Sequence, residues 1–326
     1  MSLFGEVRLA IVWASREAEA KQAINKQIIC FFMHKNSYFR IINRFKIQYL
    51  RAMLDSMIAY FDSIPSSHRA LIMAGGITFF WLIEGAVPLF RFRYQKWSHA
   101  GLNLFFTLTT IVINFAFATV IVRASDWVVA SGFGILPWLG ISSGWAMFLV
   151  GLLALDLVGA YLIHLIEHKI KVMWKFHMVH HADTHVDTTT ANRHHPGESV
   201  FRAIFTLIGV VLCGAPMWLV MVYQSISVIL SQFNHANISL PASVDRAISY
   251  LIVSPNMHKI HHHYMRPQTD SNYGNIFSIW DRLFGTYQDI NVSEIRYGLD
   301  VLSDDTDGNM AFQLGIPFNK SIKTDE

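Results

Sequence analysis

The sequence predicts an all-α, integral-membrane helical bundle, and three observations point to it. The 326-residue chain is 52% hydrophobic and only 15% charged, against roughly 25% charged in ordinary soluble domains. Several runs with little or no charge reach the roughly 20 residues that a helix needs to cross a bilayer. Nine of the sixteen histidines gather at helical spacing where such runs end. The net charge of +3, from 26 basic and 23 acidic side chains, is too near balance to argue for a nucleic-acid partner. Cys30 and Cys213 stand far apart, so neither a disulfide framework nor a cysteine-ligated zinc or iron–sulfur centre is supported.

Taken in order, residues 1–52 form a basic N-terminal extension with nine Lys and Arg against three Glu. Such an arm resists translocation, and "IICFFM" is too short for a signal-peptide core. Translation is therefore expected to begin at Met53 or Met57, the alternative being a basic helix on the membrane surface. Residues 53–290 make up the membrane domain. Its first span, 70–90, is interrupted only by Glu84, and its second, Leu102–Val122, carries no charge. The third, Gly144–Ile166, contains Asp156, which is costly in lipid and is expected to face the bundle interior. Residues 203–233 are uncharged, but "CGAP" (Cys213–Pro216) would break one long helix. A helical hairpin that enters and leaves on one side is expected there, with Phe205, Leu207, Met217, Trp218, Met221 and Tyr223 walling a substrate channel and Gly209 and Gly214 as its small residues. Residues 291–326 are read as a polar C-terminal tail.

Basic residues near span ends mark the cytoplasmic side. Arg91, Arg93 and Lys96 follow the first span, and Lys169, Lys171 and Lys175 follow the third. The histidine-rich segment that comes next is expected to face the cytoplasm.

Nine histidines form an ordered pattern. His164 and His168 make HxxxH, His177, His180 and His181 make HxxHH, His235 stands in "NHAN", and His258, His261 and His262 make a second HxxHH. Positions i, i+3 and i+4 share one face of a helix, so each box is expected to present its imidazoles together. A solvated face would mix in Lys, Glu and Gln. Neutral imidazole suits zinc, copper, iron or nickel, and nine exceed what one tetrahedral zinc can use. A site for two metals at the cytoplasmic face fits the count. His185, His194 and His263 are read as surface residues. The alternative is a metal-handling protein or transporter without catalysis. Transporters, however, place ionisable ligands at mid-membrane on broken helices, whereas these histidines lie at span ends or beyond.

The motifs "HLIEH", "KFHMVHH", "TTANRHHPGE", "NHAN", "MHKIHHH" and "NYGNIFSIWDRLFGTY" resemble those of the fatty acid hydroxylase (sterol desaturase) superfamily of non-haem di-iron membrane oxidases, over about residues 55–290. The short gap between His168 and His177 separates the chain from membrane acyl-CoA desaturases. The resemblance implies two irons held by the nine histidines, O₂ as co-substrate, and oxidation of an unactivated C–H bond of a lipid to an alcohol or an alkene. Substrates of the superfamily include sterols, fatty acyl chains, sphingoid bases, alkylglycerols and carotenoids. Beside the ligands, His195, Asp183, Asp187, Asn237, Asn272, Asn275 and Asp281 are expected to hold imidazoles by hydrogen bonds. Alkylglycerol-cleaving members carry an acid directly after the first HxxxH, whereas Lys169 follows His168 here. No dinucleotide loop, flavin motif or cysteine cluster is present, so electrons are expected from a cytochrome b5-like or ferredoxin-like partner. Lys169, Lys171, Lys175 and Lys259 are expected to dock it.

Overall fold

The computed structural model describes residues 35–324, with side chains from residue 45. Residues 1–34, which hold most of the basic extension, lie outside the described residues, and so does the question of where translation begins. The chain divides into a unit of residues 1–56 and a compact unit of residues 57–326. A helix, α1 (Lys35–Asp62), covers the described part of the first.

The second unit is helical throughout. In order come α2 (Ser66–Ala86), α3 (Lys96–Ser131), α4 (Gly144–Asp156), a π-helical turn (Leu157–Leu162), α5 (Ile163–Lys169), α6 (Lys171–His181), α7 (Pro196–Cys213), α8 (Met217–His235), α9 (Ala242–Ser249), α10 (Pro255–His261), α11 (Ile279–Leu283) and α12 (Met310–Gly315). Among the described residues extended pairing is limited to two isolated bridges, Pro88 with Ile238 and Ile252 with Phe277. Among the described residues four helical stretches are long and apolar enough to cross a membrane: Ser66–Ala86, Lys96–Trp138, Gly144–Lys169 and Pro196–Cys213. Leu108, Val112 and Phe115 lie along one stripe of α3 and are 62%, 68% and 83% exposed, an arrangement suited to lipid rather than water. The protein is an all-α, integral-membrane helical bundle.

Local chemistry sets the ends. Pro65 precedes α2, and Pro88 stops it before residue 90, because the residue before a proline is pushed out of the helical region. α3 runs past Val122 to Ser131 and is closed by Gly132 at φ 65°, the left-handed end that glycine supplies. It is about 54 Å long, well beyond the roughly 30 Å of hydrocarbon. The apolar run breaks where expected, α7 and α8 being split at Gly214, φ 73°, and Pro216.

The hairpin's interior differs from the channel wall. Trp218, Met221 and Tyr223 are buried with Leu155, Val210 and Leu219 in the main core. A Cβ on Gly209 would meet Val158 and Leu155 in ordinary contact at 3.6 and 3.7 Å, and one on Gly214 would lie 2.6 Å from the Phe133 carbonyl oxygen. Substitution at either glycine therefore tests packing. Asp156 faces inward, accepting from the Trp280 indole at 2.9 Å and from the Phe277 and Ile276 amides at 3.1 and 3.3 Å. The segment after residue 290 is not loose. Leu299, Ile316 and Ile322 are buried with Leu102, Phe106, Trp174, Met178 and Val179, and Asp307 and Asn319 accept from Arg193 and Lys175 through their carbonyls.

Candidate metal centre

Four segments deliver the nine histidines. α5 carries His164 and His168 directly after the π turn, a helix irregularity common at functional sites. α6 carries His177, His180 and His181, α8 ends on His235, and α10 with its C-cap supplies His258, His261 and His262. None is more than 6% exposed. Their nitrogens form two groups, within each of which the donor atoms lie no more than 4.8 Å apart: His164, His168, His177, His181 and His261, and then His180, His235, His258 and His262.

Each HxxHH box is divided between the groups. Around a helix, i+4 stands about 40° to one side of i, and i+3 about 60° to the other. His177 and His181 accordingly fall in the first group and His180 in the second, while His258 and His262 fall in the second and His261 in the first. Each HxxHH box thus straddles the two groups and lends its i+3 residue to the other, while His164 and His168 stay together in the first.

Hydrogen bonding cannot account for these contacts. His235 Nε2 lies 3.1, 3.0 and 3.2 Å from the Nε2 atoms of His180, His258 and His262, yet one imidazole nitrogen is a single donor or a single acceptor. In the first group His177 Nε2 is 3.1 Å from His164 Nε2 and 3.2 Å from His181 Nε2, and the buried Nε2 atoms of His168 and His261 have no partner. Nitrogens sharing one ion at about 2.1 Å lie about 3.0–3.4 Å apart at tetrahedral or octahedral angles. The donor set fits two metal ions.

The far sides of several rings fix their tautomers. His164, His235 and His261 place Nδ1 2.8, 2.7 and 2.6 Å from the carbonyls of Tyr273, Ser231 and Ser271. A carbonyl only accepts, so Nδ1 carries the proton and the Nε2 lone pair points into the group. His177 Nδ1 donates to Glu198 at 2.7 Å, and His168 Nδ1 lies 3.5 Å from Asp270. Burial pushes His177 down to about 3 despite Glu198. Burial, followed by the neighbouring imidazoles, holds His180, His181, His258, His261 and His262 well below the ordinary histidine value. Burial thus favours the neutral form that a ligand must take.

The residues expected to support the imidazoles sit elsewhere. Asp183 bonds His99 (2.8 Å) and Thr190, and Asp187 caps the turn Thr188–Asn192 and accepts from Tyr94. Asn237 pairs with the Phe90 backbone and Asn275 with Ser227. His195 caps α7 and reaches the Leu314 carbonyl at 3.3 Å. Asn272, at φ 53°, donates to the Met257 and Gln288 carbonyls and accepts from the Gln288 amide. Asp281 accepts from the Tyr273 and Gly274 amides. These last two hold the loop whose carbonyls hold His164 and His261, one step from the imidazoles.

Glu198, Asp270 and the three carbonyls were not singled out by the sequence. Glu198 lay within a quoted motif, while Asp270 is 101 positions from its partner Lys169 and carried no signal. Arg202 joins Glu198 (2.9 Å) to Glu167 (2.6 Å). Of the three histidines read as surface residues, His194 is half-buried, 2.8 Å from Glu198 and stacked on His180. His185 stacks on Tyr94 at 4.6 Å, and His263 is buried. Lys259, expected to dock a partner, is fully buried, donates to the Ala236 carbonyl at 2.6 Å, and is pushed down to about 7 by burial.

The fatty acid hydroxylase family profile matches residues 148–286, a stretch containing all nine clustered histidines. That stretch is similar to the fatty acid hydroxylase family. The chain is 25% identical over 129 residues to the ornithine lipid hydroxylase OlsE of Rhizobium tropici, covering 40% of this chain and 38% of that one. It is 28% identical over 171 residues to the alkylglycerol monooxygenase of Danio rerio, covering 50% and 34%. A cholesterol 25-hydroxylase-like protein of Danio rerio is 28% identical over 125 residues, covering 38% and 48%. The chain thus spans between about a third and a half of the length of these curated relatives. No solved structure matches. The superfamily match leaves out α2, α3 and the C-terminal segment, which bring Glu84, His99 and Asp307 to this centre's surroundings.

Proposed function

We propose that the chain is an O₂-dependent lipid hydroxylase that works through two irons, one in each histidine group. The observation that carries this reading is the convergence of nine buried imidazoles into groups of five and four. Imidazole suits iron, and two groups this close suit a reaction needing more than one redox equivalent. With iron bound, the centre would supply O₂ activation and attack on an unactivated C–H bond. The balance is R–H + O₂ + two electrons + two protons giving R–OH + H₂O. The protein's part is to hold His177 through Glu198 and to hold His164 and His261 through the Ser271–Tyr273 loop. Burial of the nine rings keeps bulk water from the reacting atoms.

The substrate is proposed to be a membrane lipid, because the named relatives act on ornithine lipid, alkylglycerol and cholesterol, and because apolar helices rise from the site. The basic residues flanking the spans favour a cytoplasmic site. The test is lipid profiling of cells producing the chain or its His261→Ala variant, beside metal analysis of both proteins. A lipid that gains one oxygen atom only with the unaltered chain supports hydroxylation. Loss of two hydrogens instead assigns desaturation. Metal retention with no lipid changed by either protein would falsify the catalytic reading and favour a metal-handling role.

A further inference from the structure

We propose that a cavity of about 340 Å³ beside the link between α2 and α3 binds the headgroup of a zwitterionic phospholipid, the ammonium against aromatic rings and the phosphate on Arg296. The inference stands apart from the hydroxylase reading, because none of the residues lining this cavity belongs to either histidine group.

Three segments build the cavity. Phe90 and Phe92 come from the link, His185 from the turn after α6, and Arg296, Tyr297 and Asp304 from the C-terminal segment. Its volume lies within the roughly 300–1,000 Å³ of ligand pockets.

The link places the cavity at the level of lipid headgroups. α2 and α3 both belong to stretches long and apolar enough to cross a membrane, and only residues 87–95 join them. Such a short link runs along the membrane surface. Near its ends Trp81 and Trp97 pack edge to face at 5.0 Å, with the Lys96 ammonium 4.7 Å from the Trp81 ring, and Trp97 is 79% exposed. Tryptophan beside a basic residue is the side-chain chemistry of that boundary. Along the link half-buried Phe90 and Phe92 alternate with exposed Arg91 and Arg93, so the rings turn to the cavity and the guanidiniums to solvent.

The walls select the ligand. Phe90, Phe92 and Tyr297 stand 5.7–6.0 Å apart, their planes inclined at 36°, 57° and 89°. Rings at such mutual angles offer π surface from several directions, which suits an alkylated ammonium. His185 is engaged elsewhere, stacked on Tyr94 and 3.6 Å from Asp307. Arg296 and Asp304 form an exposed pair at 3.0 Å, and Tyr264 lies under the guanidinium at 4.9 Å. The two signs at this wall balance. A net anion meets Asp304, a net cation meets Arg296, and an apolar molecule uses neither; a zwitterion uses both.

The test uses the metal-loaded full chain in nanodiscs of equal phosphatidylcholine and phosphatidylglycerol with the same acyl chains. Native mass spectrometry of the released protein counts retained lipid. Glycerophosphocholine, titrated by calorimetry into protein in phosphatidylglycerol nanodiscs, is the chain-free probe. Wild type is expected to retain one phosphatidylcholine in preference to phosphatidylglycerol by about tenfold. Phe92→Leu keeps an apolar wall without a π face, and should remove about tenfold of that preference. The double variant Arg296→Asp/Asp304→Arg alters only exposed side chains and keeps an ion pair, yet reverses its direction, and should lose the preference too. Circular dichroism and metal content should be unchanged in both. Equal retention of the two lipids by wild type overturns the proposal, and so does a preference that both variants keep. Glycerophosphocholine binding without any lipid preference overturns the membrane source, because the cavity then serves a free solute.

Discussion

The division of each HxxHH box between two groups separates a structure-based expectation from a sequence-based one. In the variant His180→Ala/His258→Ala both losses fall on the second group, which drops from four nitrogens to two while the first keeps five. In His180→Ala/His261→Ala the second group keeps three and the first keeps four. Even an outer partner of a metal ligand is worth about 10–100-fold in affinity, so losing a direct ligand costs at least about 1.4–2.8 kcal/mol, and two in one group at least about twice that. The same-group variant should therefore hold about one ion per chain tightly and fail to hold the other. The cross-group variant should hold both ions weakly and release them over one range of chelator. His180→Ala/His181→Ala, though confined to a single box, should behave as a cross-group variant. The assay is metal analysis of purified protein equilibrated against graded chelator, with circular dichroism to confirm the helices. Indistinguishable chelator curves for the first two variants would refute the assignment, and so would a His180/His181 variant that empties only one group.

Three further outcomes are expected. Glu84 accepts from the Thr188 and Asn237 amides at 2.7 and 2.8 Å, so Glu84→Ala leaves two buried donors unmet at about 1–3 kcal/mol each; thermal unfolding in detergent should show a clear drop, smaller for Glu84→Gln, and no drop for either removes Glu84 as the tie between α2 and the exit of α8. Asn272→Ala strains a positive φ and leaves the Gln288 amide without its acceptor, so it should unfold earlier than Asn272→Gly, and both should bind metal less well because the Ser271 and Tyr273 carbonyls flank this residue; equal stability of the two rules out the backbone argument. Stripping metal with a chelator should lower the midpoint of unfolding, since an ion at 100 times its Kd stabilises by about 2.7 kcal/mol, and restoring iron should return it; a midpoint unmoved by either treatment contradicts a centre that binds only the folded chain.

What the sequence reveals of this centre follows from which interactions carry residue identity. Histidine repeated at helical spacing is a conspicuous pattern, and that spacing brings each box to one side of its helix, so the clustering of the nine was legible without coordinates. Their allocation was not. His180 and His181 are neighbours in sequence but diverge by about 100° around α6, and which of them meets His235 depends on how α6, α8 and α10 cross. The supports were still less legible. Three of the rings lean on main-chain carbonyls, and every residue has one, so no letter marks Ser231, Ser271 or Tyr273 for the task. Asp183 and Asp187 misled through proximity: they follow His181 closely in the chain, but the backbone after α6 turns their carboxylates to His99 and Tyr94. The tail misled through composition, because its polar average hides Leu299, Ile316 and Ile322, which are scattered among polar residues and join one cluster only when the segment folds against Trp174 and Met178. That same contact packs Trp174, whose ring lies 4.7 Å from that of His168 in the first histidine group. It connects the least legible segment of the chain to the site that its histidines announce most plainly.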